Sequence, residues 1–361
     1  MTRRRALLRA TPVFAAPGLL SGCGPGAGYE AAVAATWRHA VAAPAAAQAV
    51  QGELVRYATL AANSHNTQPW RFELLAGAIV IRPDSARRTP VVDPDDHHLW
   101  ASLGCAVENL VQAAAAFGLR ARVGLAGDRV VVPLEQAAAQ RSPLFEAIVQ
   151  RQCTRADFDG SAVAAGDLRR LEDAARAPGL QLLLLTDRSR IDGVADYVVQ
   201  GTIAQMQDPA FVSELKRWIR FSEADALASR DGLFAHASGN PTLPHWLGSL
   251  LFGFAATARS ESARYARQVR SASGIAVFVS ERNDRAAWLE AGRAYQRFAL
   301  QATALGLRNA FVNPPVEVPA LRAQFARWLG VGSARPDFVV RFGRGPLLPR
   351  SLRRPLEQVV G

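Results

Sequence analysis

Lysine is almost missing from this chain: Lys216 is the single lysine among 42 basic residues in 361. The arginine skew reads as a codon-composition habit. Apart from the N-terminus, the arginines are interleaved with 31 acidic residues and form no basic arm, so no nucleic-acid partner is expected. Cysteine is scarce too, and three in a chain this long cannot staple a small scaffold. No Cys/His spacing suits a metal, since His97 and His98 are adjacent and would diverge on a helix. No Gly-rich loop has nucleotide-binding spacing. Disorder and fibrous structure are excluded by 49% hydrophobic residues against 20% charged. The longest nearly uncharged run, residues 99–119, holds Glu108, Asn109 and Gln112 near its middle. Those groups are costly in a bilayer, so the run reads as a helix buried on all sides.

The N-terminus reads as an address. Arg3, Arg4, Arg5 and Arg9 precede an apolar stretch from Ala10 to Leu20, too short to span a bilayer. Arg4-Arg5-Ala6-Leu7-Leu8-Arg9 resembles the twin-arginine export consensus. Leu20-Ser21-Gly22-Cys23 resembles a bacterial lipobox, in which Cys23 is lipidated. The expectation is a signal peptide over 1–22 and an Ala/Gly/Pro-rich tether over 23–48, with the protein lipid-anchored in the periplasm or cell envelope.

The remainder repeats once. Trp100 to Gly104 and Trp288 to Gly292 have equal spacing, as do Gly104 to Gly118 and Gly292 to Gly306. Asp95/Asp96 and Asp284 stand where helix starts need them, and Gly118 and Gly306 where helix ends do. A mid-helix glycine is costly, so Gly104 and Gly292 imply close helix–helix approach. Helices over 54–62 and 168–176 each lead into a strand, 71–75 and 180–185; further strands are expected over 275–279 and 337–342. The fold class is α+β, with mixed sheets flanked by long central helices, in two halves, 49–145 and 146–361.

Two segments carry chemistry. Asn63-Ser64-His65-Asn66-Thr67-Gln68-Pro69-Trp70 puts six hydrogen-bonding side chains between a helix and a strand, which suits either a capped turn or a planar, heteroatom-rich ring. Arg151-Gln152-Cys153-Thr154-Arg155 offers guanidinium forks and a hydroxyl to a phosphate monoester, or is a solvated turn.

With the closing Arg353-Arg354-Pro355-Leu356, these strings resemble the FMN-dependent nitroreductase superfamily. The doubled build resembles its Acg-like branch, in which one chain mimics the usual homodimer. The resemblance implies FMN as cofactor. Arg151, Cys153, Thr154 and Arg155 would hold its phosphate and ribityl chain. Asn63, Ser64 and Asn66, with Gln68 of the same string, would hold its ring, and Arg353 or Arg354 would complete the pocket. Ala62 and Asn63 stand where the family has Pro and Ser, Cys153 where it has Ser or Thr, and Gln152 where it has a basic residue. The second half lacks the polar string, reading AARAPGLQ at 174–181, so one composite flavin site is expected in a monomer. The implied activity is transfer of hydride or electrons to a nitroaromatic, quinone or similar acceptor, from NAD(P)H or, outside the cytoplasm, another donor. The alternative from the same resemblance is an FMN-shielding protein with a lid over about residues 205–262. A structural lipoprotein without ligand is the third reading.

Overall fold

The computed structural model describes residues 26–41, 44 and 46–361. The segment expected to be an export signal, residues 1–22, and Cys23 lie outside the described residues. Helices α1 (Ala27–Thr36) and α2 (Ala47–Thr59) lead to the hairpin β1 (Trp70–Leu75) and β2 (Ala78–Pro83). The long α3 (His97–Ala116) follows, then β3 (Leu119–Ala121), β4 (Gly124–Ala126), β5 (Arg129–Gln136) and a short α4 (Pro143–Ala147). The second half begins with α5 (Ala165–Ala175), β6 (Leu180–Leu185) and α6 (Arg188–Gln207). An insertion comprises α7 (Pro209–Trp218), β7 (Ile219–Arg220), α8 (Glu223–Ser229), β8 (Leu233–Phe234), α9 (His245–Ala255) and α10 (Ala258–Arg270). The chain resumes with β9 (Gly274–Ser280), α11 (Arg285–Ala304), β10 (Arg308–Phe311), α12 (Pro314–Glu317), α13 (Pro319–Leu329) and β11 (Arg335–Gly343).

The class is α+β, and the repeat is visible in the topology. One sheet has the order β1-β2-β5-β3 and the other β6-β9-β11-β10, so α3 and α11 occupy equivalent places. Both sheets are antiparallel throughout, not mixed as expected. The long helix does carry the chain across to a strand of the same direction, as a crossover must. However, β5 and β11 then insert between the two strands it joins and run against both. Among the described residues, parallel pairing is confined to β7 with β8 and to two bridges, Phe72 with Val360 and Cys153 with Asn309.

The two central helices cross at their glycines. A Cβ on Gly104 would lie 2.0 Å from the Leu289 carbonyl oxygen, and one on Gly292 would lie 2.0 Å from that of Ala101. Leu289 and Ala101 each precede the facing glycine by three residues, so the crossing is two-fold symmetric. Polar side chains of the expected membrane-averse run pair across it. The buried Glu108 carboxylate accepts from Arg293 at 3.2 Å and Arg297 at 3.0 Å, and Asn109 accepts from Gln296 at 2.7 Å. Gly118 and Gly306 end the helices at φ 75° and 73°. Asp284 caps α11 as expected, accepting from the Ala287 N–H. The cap of α3 is not Asp95 or Asp96 but Asp93, which accepts from the His98 and Leu99 N–H groups at 2.9 Å each. Asp96 takes a left-handed conformation and pairs with Arg88, and Asp95 pairs with Arg335.

Both ends of the described chain fold onto the first half. Residues after β11 return to the β1 edge, where the Phe72 N–H donates to the Val359 carbonyl at 2.7 Å and the Gly361 N–H to that of Phe72 at 2.9 Å. The tether expected up to residue 48 does not extend that far. The Tyr29 hydroxyl donates to the Arg350 carbonyl at 2.6 Å and the Trp37 indole to that of Ser351 at 3.0 Å. Tyr29, Ala32, Ala226, Phe234 and Leu352 form a small core of their own. Two aromatic side chains thus anchor a segment whose composition reads as linker.

Candidate functional site

The polar string after α2 builds one wall of a cavity. His65, Asn66 and Gln68 are left-handed, with φ of 47°, 53° and 53°, each costing about 1–2 kcal/mol for a residue with a Cβ. Backbone strain of this kind clusters at functional sites. Its own side chains hold it. Asn63 Oδ1 accepts from the Gln68 N–H at 2.9 Å, and Asn66 Nδ2 donates to the carbonyls of Gly232 at 3.0 Å and Leu352 at 3.2 Å. Asn66 Oδ1 accepts from Arg353 at 2.9 Å. Asn63, Ser64 and Asn66 line the cavity, but the Asn63 amide is spent on the loop and the Asn66 amide on the insertion and the C-terminal segment, which leaves Ser64 and the backbone to face a ligand.

Asn66 is therefore a keystone between the loop, the insertion and the C-terminal segment. Asn66→Ala is expected to lower the stability of the ligand-free protein by about 1–3 kcal/mol, because buried partners lose their bonds. Urea denaturation reads this directly, and an unchanged midpoint would show that the side chain only touches a ligand.

The second wall is the 151–155 string. Cys153 pairs as extended chain with Asn309, and the Thr154 N–H donates to the Asn309 carbonyl at 2.9 Å. Successive side chains of extended backbone alternate. Arg151, Cys153 and Arg155 reach the cavity. Thr154 points away, fully buried, and its hydroxyl donates to Gln152 Oε1 at 3.2 Å, so the expected phosphate contact from Thr154 is not made. Gln152, which also touches the cavity, clamps the C-terminal segment: its amide donates to the Leu348 carbonyl and accepts from the Leu348 N–H. Buried Arg341 fastens the string from behind, donating to the carbonyls of Thr154 at 2.9 Å and Ala156 at 2.8 Å.

Two more expected ligand residues are structural. Gln68 is fully buried, donating to the Arg230 carbonyl at 2.9 Å and accepting from the Arg354 N–H at 2.8 Å. Arg354 donates to the carbonyls of Gln68 and Gln358. Neither lines the cavity; together they brace the polar string from below. Arg353 does line it, but spends its guanidinium on the Thr59, Leu60 and Ala61 carbonyls at the end of α2.

The charge of this wall is unbalanced. Among the described residues, no carboxylate lies within 4.0 Å of Arg151, Arg155, Arg350 or Arg353. Burial, then the nearby Arg151, brings Arg353 down to about 9 and Arg350 to about 10. Arg151 is buried, donates one bond, to the Leu60 carbonyl at 3.0 Å, and leaves Nε and Nη1 without a partner. Arg350 went unread in the sequence because it stands in a run that looks like a basic tail. Buried guanidinium groups that repel one another and keep free N–H donors call for an anion.

The cavity holds about 500 Å³, within the range of small-molecule and cofactor sites. Residues of the insertion, among them Phe211, Leu215, Phe221 and Phe252, form its roof. The roof is tied down: the Gly232 N–H donates to the Asn66 carbonyl at 3.0 Å, Arg155 donates to Ser238 Oγ at 3.1 Å, and Arg87 pairs with Asp231 at 2.8 Å. His98 and Glu317 separate this cavity from a smaller one of about 220 Å³. Among the described residues, no group of three or more His, Cys, Asp or Glu is arranged to hold a metal.

His65 faces the cavity with its pKa held down at about 4, first by burial and then by the Arg155 guanidinium. The folded protein keeps this ring neutral while the unfolded chain protonates it below about 6.5. The stability tied to His65 is present above that pH and lost as pH falls toward about 4. His65→Gln should therefore keep more of its pH 7 stability at about pH 5 than the parent. Equal losses in urea midpoint would contradict this.

No family model matches the chain. Over 320 residues, 84% of this chain and 88% of the relative, it is 29% identical to a Mycobacterium tuberculosis protein named "Putative NAD(P)H nitroreductase Rv3131", and equally to its counterpart MT3217 from another strain. Among solved structures, a nitroreductase with bound FMN from Bacteroides fragilis is 17% identical, with a TM-score of 0.37 over 59% of this chain and 95% of that one.

Proposed function

We infer that the chain is a flavoprotein of the nitroreductase superfamily: an oxidoreductase that binds FMN in this cavity and passes electrons from NAD(P)H or, outside the cytoplasm, another donor to a small acceptor such as a nitroaromatic or quinone. The observation that carries the reading is the unpartnered Nε and Nη1 of buried Arg151, on a wall of arginines that have no carboxylate within 4.0 Å. FMN fits there: its phosphate answers the arginines, and its ring suits the strained loop opposite. FMN, when bound, supplies the redox-active ring, so the chain itself needs no nucleophile or metal. Arg151 and Arg350 would hold the phosphate, with Arg155 at the cavity edge. Ser64 and the backbone of the polar string would meet the ring. Neutral His65 adds no charge beside it, and apolar side chains of the roof would cover it. The two halves, each contributing one wall, would act as the two subunits of the family's dimer, as in its Acg-like branch.

The tied-down roof favours a second reading, in which the protein shields FMN without turnover. Anaerobic reduction of the FMN-loaded protein separates the two. Bleaching by NADH or NADPH supports the enzyme; bleaching by dithionite alone supports the shield.

We also propose that the protein is exported by the twin-arginine route and acylated at Cys23. Mass analysis of the N-terminus of membrane-extracted protein tests this, and an unmodified Cys23 would contradict it.

A further inference from the structure

The outer face of α9 has no partner. Trp246, Leu250 and Phe254 stand at helical spacing on one stripe and are 69%, 59% and 78% exposed. The opposite face is packed: Gly248 and Phe252 line the cavity, and a Cβ on Gly248 would lie 2.6 Å from the Phe221 ring. The helix is thus held rigidly by its inner side while large apolar groups are offered outward, a feature that marks an interaction site.

We propose that this stripe seats the protein on a lipid bilayer. Charge is the first argument. No acidic residue occurs from Gly232 to Ser260, and Arg259, just past the helix, is exposed without an ion pair. A surface of anionic lipid therefore meets exposed aromatic and aliphatic groups with one unpaired arginine beside them and no carboxylate in the segment that carries them. The path of the chain is the second argument, and it rests on the acylation of Cys23 proposed above. The Gly26 N–H donates to Glu223 of α8 at 2.7 Å. Two residues on, Asp225 accepts from His245, the first residue of α9, at 3.0 Å. Cys23 precedes Gly26 by three residues, a reach of at most about 10 Å. An acyl chain on Cys23 is thus within reach of the start of α9, so that it and the apolar stripe would enter one membrane together.

The test uses the full chain carrying Cys23→Ala, so that no acyl chain contributes. It is mixed with vesicles of phosphatidylethanolamine and phosphatidylglycerol, and compared with the same chain also carrying Leu250→Glu and Phe254→Glu. Both substitutions are at exposed positions and should keep the parent's urea midpoint. The proposal expects the parent to sediment with vesicles and the substituted chain to partition at least about tenfold less. It also expects brominated acyl chains to quench tryptophan fluorescence in the parent and much less in Trp246→Phe. Equal partitioning of the two chains, absence of binding by the parent, or a parent dimer that the glutamates dissociate would overturn it. The last result would assign the stripe to a second copy. The N-terminal mass reports acylation separately: an unmodified Cys23 with partitioning that still depends on α9 removes the acylation reading and upholds this one.

Discussion

Replacing Arg151 by methionine is expected to weaken FMN binding by about 10- to 150-fold, because a hydrogen bond to a charged group contributes about 1.5–3 kcal/mol. The ligand-free protein should not suffer in proportion. Arg151 donates one bond, to the Leu60 carbonyl, and otherwise repels Arg350 and Arg353. Removing its charge relieves that repulsion, so the apo-protein's melting temperature should stay level or rise while the holo-protein's falls. This opposite movement separates an anion site from a structural arginine. An ordinary structural role would lower both together. Titrating FMN into apo-protein and recording both melts checks the prediction, and unchanged affinity would remove the phosphate assignment.

The second large effect is expected at the helix crossing. In an exposed helix, Gly→Ala gains up to about 1 kcal/mol. Here the added Cβ of Gly104→Ala would meet the Leu289 carbonyl oxygen at 2.0 Å, with backbone and not a movable side chain in the way. The helices would have to separate, and Gly104→Ala should cost about 3 kcal/mol or more. Gly292→Ala should cost the same by symmetry, and the double substitution less than the sum, because the first already opens the crossing. Gly306→Ala is the control. Nothing lies within 4 Å of its Cβ position, and its φ of 73° leaves only the backbone cost, about 1–2 kcal/mol. Denaturant midpoints of the four variants decide this. A mild Gly104→Ala would mean that the crossing is looser than it stands.

The repeat was legible because it is written in local terms: equal Trp-to-Gly and Gly-to-Gly spacings, an Asp before α11, a left-handed Gly after each long helix. The same periodicity located β6 to the residue. Strand direction was not legible, since alternation along a strand carries no information about which neighbour inserts beside it, and β5 and β11 do so from a distance in sequence. The pairing of Val360 with Phe72 and the docking of Tyr29 and Trp37 on residues 350 and 351 are likewise non-local. The site was half legible. Residue types showed that Arg151 to Arg155 could grip an anion, but only the bridge at Cys153 shows that Thr154 faces away. Asn63, Asn66 and Gln68 were read as ligand groups because they are polar. They are polar because the left-handed loop they sit in is held by hydrogen bonds, within itself through Asn63 and to the insertion and the C-terminal segment through Asn66 and Gln68. Asp93 was missed as the cap of α3 because its carboxylate reaches forward from a turn ahead of the helix.

The central claim is that two dissimilar halves build one flavin site per chain. Titration of FMN into apo-protein, followed by flavin fluorescence at known protein concentration, tests it most directly. One FMN per chain is predicted, with the end point reached at equal concentrations and abolished when Arg151 and Arg350 are both replaced. Two FMN per chain, or saturable binding that survives the double replacement, would contradict it.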